Sequence, residues 1–94
     1  MSKKTIWITG GSTGIGKALA IKFANKGWNV AVSARRVELL DELSKNYENI
    51  SSFPLDVTDK TKCIEVFNQI KTKFENIDIC FFSTGTWNPK KEKE

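Results

Sequence analysis

One stretch, Thr9-Gly10-Gly11-Ser12-Thr13-Gly14-Ile15-Gly16, constrains this chain more than any other. It joins an apolar run of strand character, Thr5-Ile6-Trp7-Ile8, to one of helix character, Ala18-Leu19-Ala20-Ile21-Lys22-Phe23-Ala24. A glycine-rich turn in that position is a phosphate-binding turn. Gly10 permits a tight turn off the strand, Gly14 lets phosphates approach bare backbone, and Gly16 lets the helix lie close to the sheet. The first amides of the helix lack intrahelical partners and sit at the positive end of its dipole, which favours an anion there. Gly10, Ser12, Thr13, Gly14 and Ile15 are therefore candidate contacts to a ligand's phosphates. A Walker-type loop is excluded, since Lys17 is followed by Ala18 rather than by serine or threonine. A turn that binds nothing remains the competing assignment.

Taken in order, the chain alternates strand and helix. The spacing predicts a strand over Lys4 to Thr9, a helix from about Gly14 to Lys26 and a second strand over Asn29 to Ala34. Ile15, Leu19, Phe23 and Ala24 form the expected apolar stripe of that helix, and Gly27 its stop. A second helix, Val37 to Asn46, is expected to bury Leu39, Leu40 and Leu43, followed by a third strand, Ile50 to Leu55. Thr58 or Asp59 can cap a third helix, Lys60 to Phe74, with Cys63, Phe67, Ile70 and Phe74 on one face. The fourth strand is Ile77 to Phe82. This alternation predicts an α/β fold, a doubly wound parallel sheet of four strands in the order 3-2-1-4 with three helices. Residues 1–89 form the expected domain and 90–94 a charged, frayed tail. The order leaves the fourth strand at an edge, although its apolar run suits a covered position, so further chain or a partner is expected beside it.

Composition removes several function classes. Ninety-four residues suffice for one domain, and no apolar run approaches the length of about 20 residues that crosses a membrane. The start, Met1-Ser2-Lys3-Lys4, lacks the apolar core of a signal sequence, so a cytoplasmic location is expected. Cys63 and Cys80 have no metal-ligand spacing and the chain has no histidine, so both are read as reduced, buried thiols. The net charge of +4 is dispersed among acids except at Lys3-Lys4, Arg35-Arg36 and the tail, a distribution that argues against nucleic acid.

The glycine spacing, Thr-Gly-x-x-x-Gly-x-Gly over residues 9–16, resembles that of the short-chain dehydrogenases/reductases, NAD(P)-dependent oxidoreductases with a Rossmann-type fold. An adenine dinucleotide needs a group for its adenosine ribose at the end of the second strand, about 20 residues beyond the glycines, and an acid there selects NAD. Here the strand ends Ser33-Ala34-Arg35-Arg36. NADP(H) is therefore expected over NAD(H), with Arg35 on the 2'-phosphate, Arg36 stacking on adenine or adding charge, and Ser33 offering a hydroxyl. Two arginines on a solvated helix start are the plain alternative.

The resemblance further implies that Asp56-Val57 holds the adenine, while a simple turn that caps the next helix competes for Asp56. Where the family carries Asn-Asn-Ala-Gly after the fourth strand, this chain has Phe82-Ser83-Thr84-Gly85. Ser83 and Gly85 are the candidate contacts there, with hydroxyls in place of amide and methyl groups. The family's Tyr-x-x-x-Lys pair and its serine are missing, since Tyr47, the only tyrosine, is followed four residues later by Ser51. No catalytic residue is assigned.

Three readings follow. The chain is the amino-terminal, NADP(H)-binding part of an oxidoreductase moving hydride to or from a carbonyl or alcohol substrate. Alternatively it is a non-catalytic nucleotide-binding or interaction module, with homo-oligomers formed through the fourth strand. In the third it is a truncated product with limited core, which cooperative unfolding and solubility would separate from the second.

Overall fold

The apolar run near the amino terminus forms β1 (Thr5–Thr9), buried at all five positions. The computed structural model describes residues 3–10, 14–56 and 58–82. After β1 come α1 (Gly14–Asn25), β2 (Asn29–Ser33), α2 (Val37–Asn46), β3 (Ile50–Ser52), α3 (Lys60–Phe74) and β4 (Ile79–Phe82). All strands run parallel in the order β3-β2-β1-β4, as the sequence predicts. In register, Trp7 lies beside Ala31 on one side and Cys80 on the other. The expected tail lies outside the described residues.

Side chains alternate across a strand, so β1 and β2 feed two cores. Ile6, Ile8, Val30 and Val32 pack with Ala20 and Ala24 of α1, Leu40 and Leu43 of α2, and Ile50. Trp7 and Ala31 pack on the opposite side with Leu55 and with Val66 and Ile70 of α3. The result is three layers, helix on sheet on helix.

Two helical stripes differ from expectation. In α1 the buried residues are Gly16, Ala20 and Ala24, while Leu19 and Phe23 flank them half-buried and Ile15 is 69% exposed. Small residues four apart let the helix axis approach the sheet, and the larger side chains are displaced to its flanks. In α3 the buried pair is Val66 and Ile70, with Cys63 and Phe74 half-buried and Phe67 38% exposed. Leu39 of α2 is only half-buried, unlike Leu40 and Leu43.

Strand ends are shorter than the sequence suggests. β3 ends at Ser52, yet Phe53 N–H still donates to Val32 O at 2.8 Å and Leu55 N–H to Ala34 O at 3.0 Å. Pro54, lacking an N–H, falls between these two donors on an edge strand, where no ladder bond is lost. At β4, Asp78 takes the place of the expected first turn of ladder: its N–H donates to Thr5 O at 2.9 Å, and its Oδ2 accepts from Thr5 N–H at 2.7 Å. The edge of β4 leaves Ile79 40% exposed. Cys63 is half-buried and Cys80 exposed, so the expectation of two buried thiols fails. Desolvation nonetheless pushes the Cys80 thiol up, which keeps it protonated. No described helix is long and apolar enough to cross a membrane, and no metal-binding group occurs among the described residues.

Candidate functional site

Because the strands are parallel, their carboxyl ends share one edge of the sheet, and the connection order reverses at β1. α1 packs against one face and α3 against the other, the arrangement in which doubly wound sheets take ligands at that edge.

The glycine turn occupies this place. Gly10 follows β1 with φ 76°, and its N–H donates to Ser33 O at 2.6 Å. Gly14 opens α1 with φ 61°, and a Cβ built on it would meet nothing within 4 Å. Both angles lie where side-chain-bearing residues are strained. Space is therefore open beside Gly14, where the first amides of the helix lack intrahelical partners. Bare backbone at a helix start fits a pyrophosphate. On the other side of the sheet, with Ser33 and Trp7, the Thr9 hydroxyl is buried with no hydrogen-bond partner among the described residues. Ile15 lies exposed at the glycine turn, while Ser12 and Thr13 lie outside the described residues.

The end of β2 brings the next candidates in. Ala34 O accepts from Leu55 N–H, which sets the chain at Arg35 alongside the chain at Asp56. Arg35 and Arg36 are exposed, and with Glu38 and Leu39 they line an open groove of about 480 Å³. Arg36 is also the N-cap of α2, without a side-chain capping bond.

Ser33 corrects an expectation. Its side chain is fully buried, and Oγ accepts from the Trp7 indole Nε1–H at 2.9 Å. It faces the α3 layer, with Trp7 and Ala31, rather than the rim, so it does not present a hydroxyl to a ligand.

Asp56 closes its own turn. Its Oδ1 accepts from Thr58 Oγ1 at 2.7 Å and from Thr58 N–H at 3.0 Å. These two bonds, the hydroxyl first, hold its carboxyl below the usual carboxylate value, with a smaller contribution from the Arg35 charge. Helix capping falls instead to Asp59, whose Oδ1 accepts from Lys62 N–H at 3.1 Å. Asp56 is thus not the cap of α3, and its second oxygen accepts no hydrogen bond among the described residues. Val57, Ser83 and Gly85 lie outside the described residues.

The structure therefore gathers Gly10, Gly14, Arg35 and Asp56 on one rim and withdraws Ser33 from it. The Trp7–Ser33 bond was not foreseen. Its signal was an indole between two isoleucines of a buried strand, since a buried Trp N–H needs an acceptor.

Comparison with known proteins identifies the family. The profile of a family described as short chain dehydrogenase matches residues 4–94. A probable 2,4-dienoyl-CoA reductase of Bacillus subtilis (strain 168) is 35% identical over 82 residues, covering 83% of this chain and 32% of the relative. The NADPH-dependent 1-acyldihydroxyacetone phosphate reductase of Schizosaccharomyces pombe is 42% identical over 89 residues, covering 94% of this chain and 29% of the relative. Among solved structures, ElxO with NADP bound superposes with a TM-score of 0.81 at 36% identity, over 92% of this chain and 36% of that one. The chain spans about a third of the length of these relatives.

Proposed function

Since the chain belongs to the short-chain dehydrogenase family, we propose that it forms the NADP(H)-binding portion of an oxidoreductase acting on a carbonyl or alcohol substrate. The observation that carries this reading is the position of Arg35. It stands on the rim beside Asp56, at the strand end where a carboxylate would accept from a 2'-hydroxyl. A guanidinium there makes charge-assisted bonds to a 2'-phosphate and leaves a plain ribose hydroxyl without an acceptor.

The remaining residues have defined tasks in this reading. The amides following Gly10 and Gly14 hold the pyrophosphate, and the Asp56 carboxylate accepts from the adenine amino group. Arg36 adds charge beside Arg35. Ser12, Thr13, Ile15, Val57, Ser83 and Gly85 complete the contacts along the cofactor. When bound, NADP(H) supplies or accepts the hydride. This chain's own residues bind and orient it. Two relatives support the choice of cofactor by their names, one as an NADPH-dependent reductase and one solved with NADP bound.

Calorimetric titration of the intact protein with NADP+ and NAD+, before and after Arg35→Asp, tests the assignment. NADP+ binding is expected to weaken by about 1.5–3 kcal/mol, the scale of a hydrogen bond to a charged group. NAD+ binding should change far less. Equal losses for both cofactors would refute the role of Arg35.

A further inference from the structure

Ser33 carries two ties, one at the rim and one beneath α3. Its carbonyl accepts from Gly10 N–H at 2.6 Å, and its hydroxyl accepts from Trp7 Nε1–H at 2.9 Å in a buried bond. Leu55 N–H holds the next residue, Ala34, from the other side at 3.0 Å. Arg35 is the first residue beyond this clamp. Trp7 is itself immobilised: it is 4% exposed, packs with Val66 and Ile70, and meets the Phe67 ring at a centroid distance of 6.2 Å. An indole wedged beneath α3 is a fixed point, and the Ser33 hydroxyl transfers that fixity to the end of β2.

We propose that the Trp7–Ser33 hydrogen bond is a positioning device for cofactor selectivity, holding the end of β2 so that Arg35 meets the 2'-phosphate. This inference rests on the NADP(H) reading and adds residues that touch no cofactor. The two ties divide the work. The Gly10 bond is backbone to backbone and survives any side-chain change at residues 7 or 33, so the pyrophosphate turn keeps its anchor. Only the side-chain tie is lost on substitution, and what it orients is the segment leading to Arg35. Loss of the indole donor should therefore be felt where the cofactors differ, at the 2'-position, and little where they are alike.

The test measures NADP+ and NAD+ affinity in the intact protein for Trp7→Phe, Ser33→Ala and the double variant. Trp7→Phe keeps an aromatic ring against Phe67 but removes the N–H, and Ser33→Ala removes the acceptor without enlarging any side chain. Each is expected to lower NADP+ affinity roughly three- to tenfold, the range for one neutral hydrogen bond. NAD+ affinity should stay within about twofold, because its contacts are anchored by backbone. The double variant should be no worse than either single one, as for two partners of one bond. A merely structural role would lower both affinities together, and that result overturns the proposal while leaving the cofactor assignment intact. Failure of the unsubstituted protein to bind NADP+ would instead overturn the cofactor assignment, and this inference with it. A measurement free of substitutions covers the case of a variant that does not fold. In a 15N-labelled sample the Trp7 indole N–H resonance should exchange slowly and shift more with NADP+ than with NAD+. Equal shifts, or a rapidly exchanging indole, would overturn the proposal.

Discussion

The two faces of the sheet are built from different materials. The buried centre of the face under α1 and α2 is aliphatic, with Ile6, Ile8, Val30, Val32, Leu40 and Leu43 in one cluster and aromatic rings only half-buried around it. The face under α3 has one helix, a tryptophan and a shorter list of aliphatic partners. Alternation along β1 and β2 puts Thr5, Thr9 and Ser33 on the α3 side, the buried polar residues among those described. Two helices on a largely aliphatic surface give a dense core held by non-directional packing. A single helix over hydroxyls and an indole gives directional bonds, and directional bonds fix where a strand end points. The first face is suited to stability and the second to placing the rim.

The largest expected effect tests the first half of that contrast. Leu40 is fully buried among residues of both helices and the sheet. Leu40→Ala should cost about 2–5 kcal/mol, measured as the shift of a urea unfolding transition. A loss below about 1 kcal/mol would mean that the aliphatic face is not where stability resides, since that is less than truncation of a packed leucine costs.

Next in size is the single helix of the other face. α3 is held at its start by Asp59, whereas α2 begins at Arg36 with no side-chain cap. Leu40 and Leu43 hold α2 down; α3 leans on its cap as well as on Val66 and Ile70. Asp59→Ala is expected to destabilise by about 1 kcal/mol. Amide exchange should rise first at Lys62, which donates to that carboxylate. Uniform acceleration across both faces would show that the two are coupled more tightly than their packing suggests.

Much of this architecture was legible in the chain. Alternating apolar runs and the glycine turn gave four parallel strands in the observed order, because a right-handed crossover leaves few alternatives. Gly10 and Gly14 both carry the positive φ that such a turn demands. The α1 stripe was legible at Gly16 and Ala24 but not at Ile15 and Ala20, because apolar size does not report burial. Ile15 is large and exposed, while Ala20 is small and buried. Helix-to-sheet distance selects small residues, and a hydrophobicity pattern does not contain that distance. The fate of Ser33 was hidden for another reason. Whether its hydroxyl faces the rim or α3 depends on strand parity, and its partner lies 26 residues away across a ladder whose register no local pattern specifies.

The smallest test concerns Asp56, where the rim is held by a short turn rather than by either core. Its carboxyl is depressed below 3.8, first by the Thr58 hydroxyl, then by the Thr58 N–H, and least by Arg35. A group whose value is lowered on folding adds stability that is complete above its unfolded value and is lost as pH falls through the folded one. The window for Asp56 therefore lies below about pH 3.8, and neutral-pH measurements should not sense it. Carboxyl-carbon NMR titration should give Asp56 a midpoint under that value. Thr58→Ala should raise it more than Arg35→Gln does, because hydrogen bonds to an exposed carboxylate outlast screened charge. The reverse order would place Arg35 closer to Asp56 than a neighbouring chain requires. Its guanidinium would then be engaged by the carboxylate rather than held ready for a phosphate, and the division between a stabilising face and a positioning one would lose its functional half.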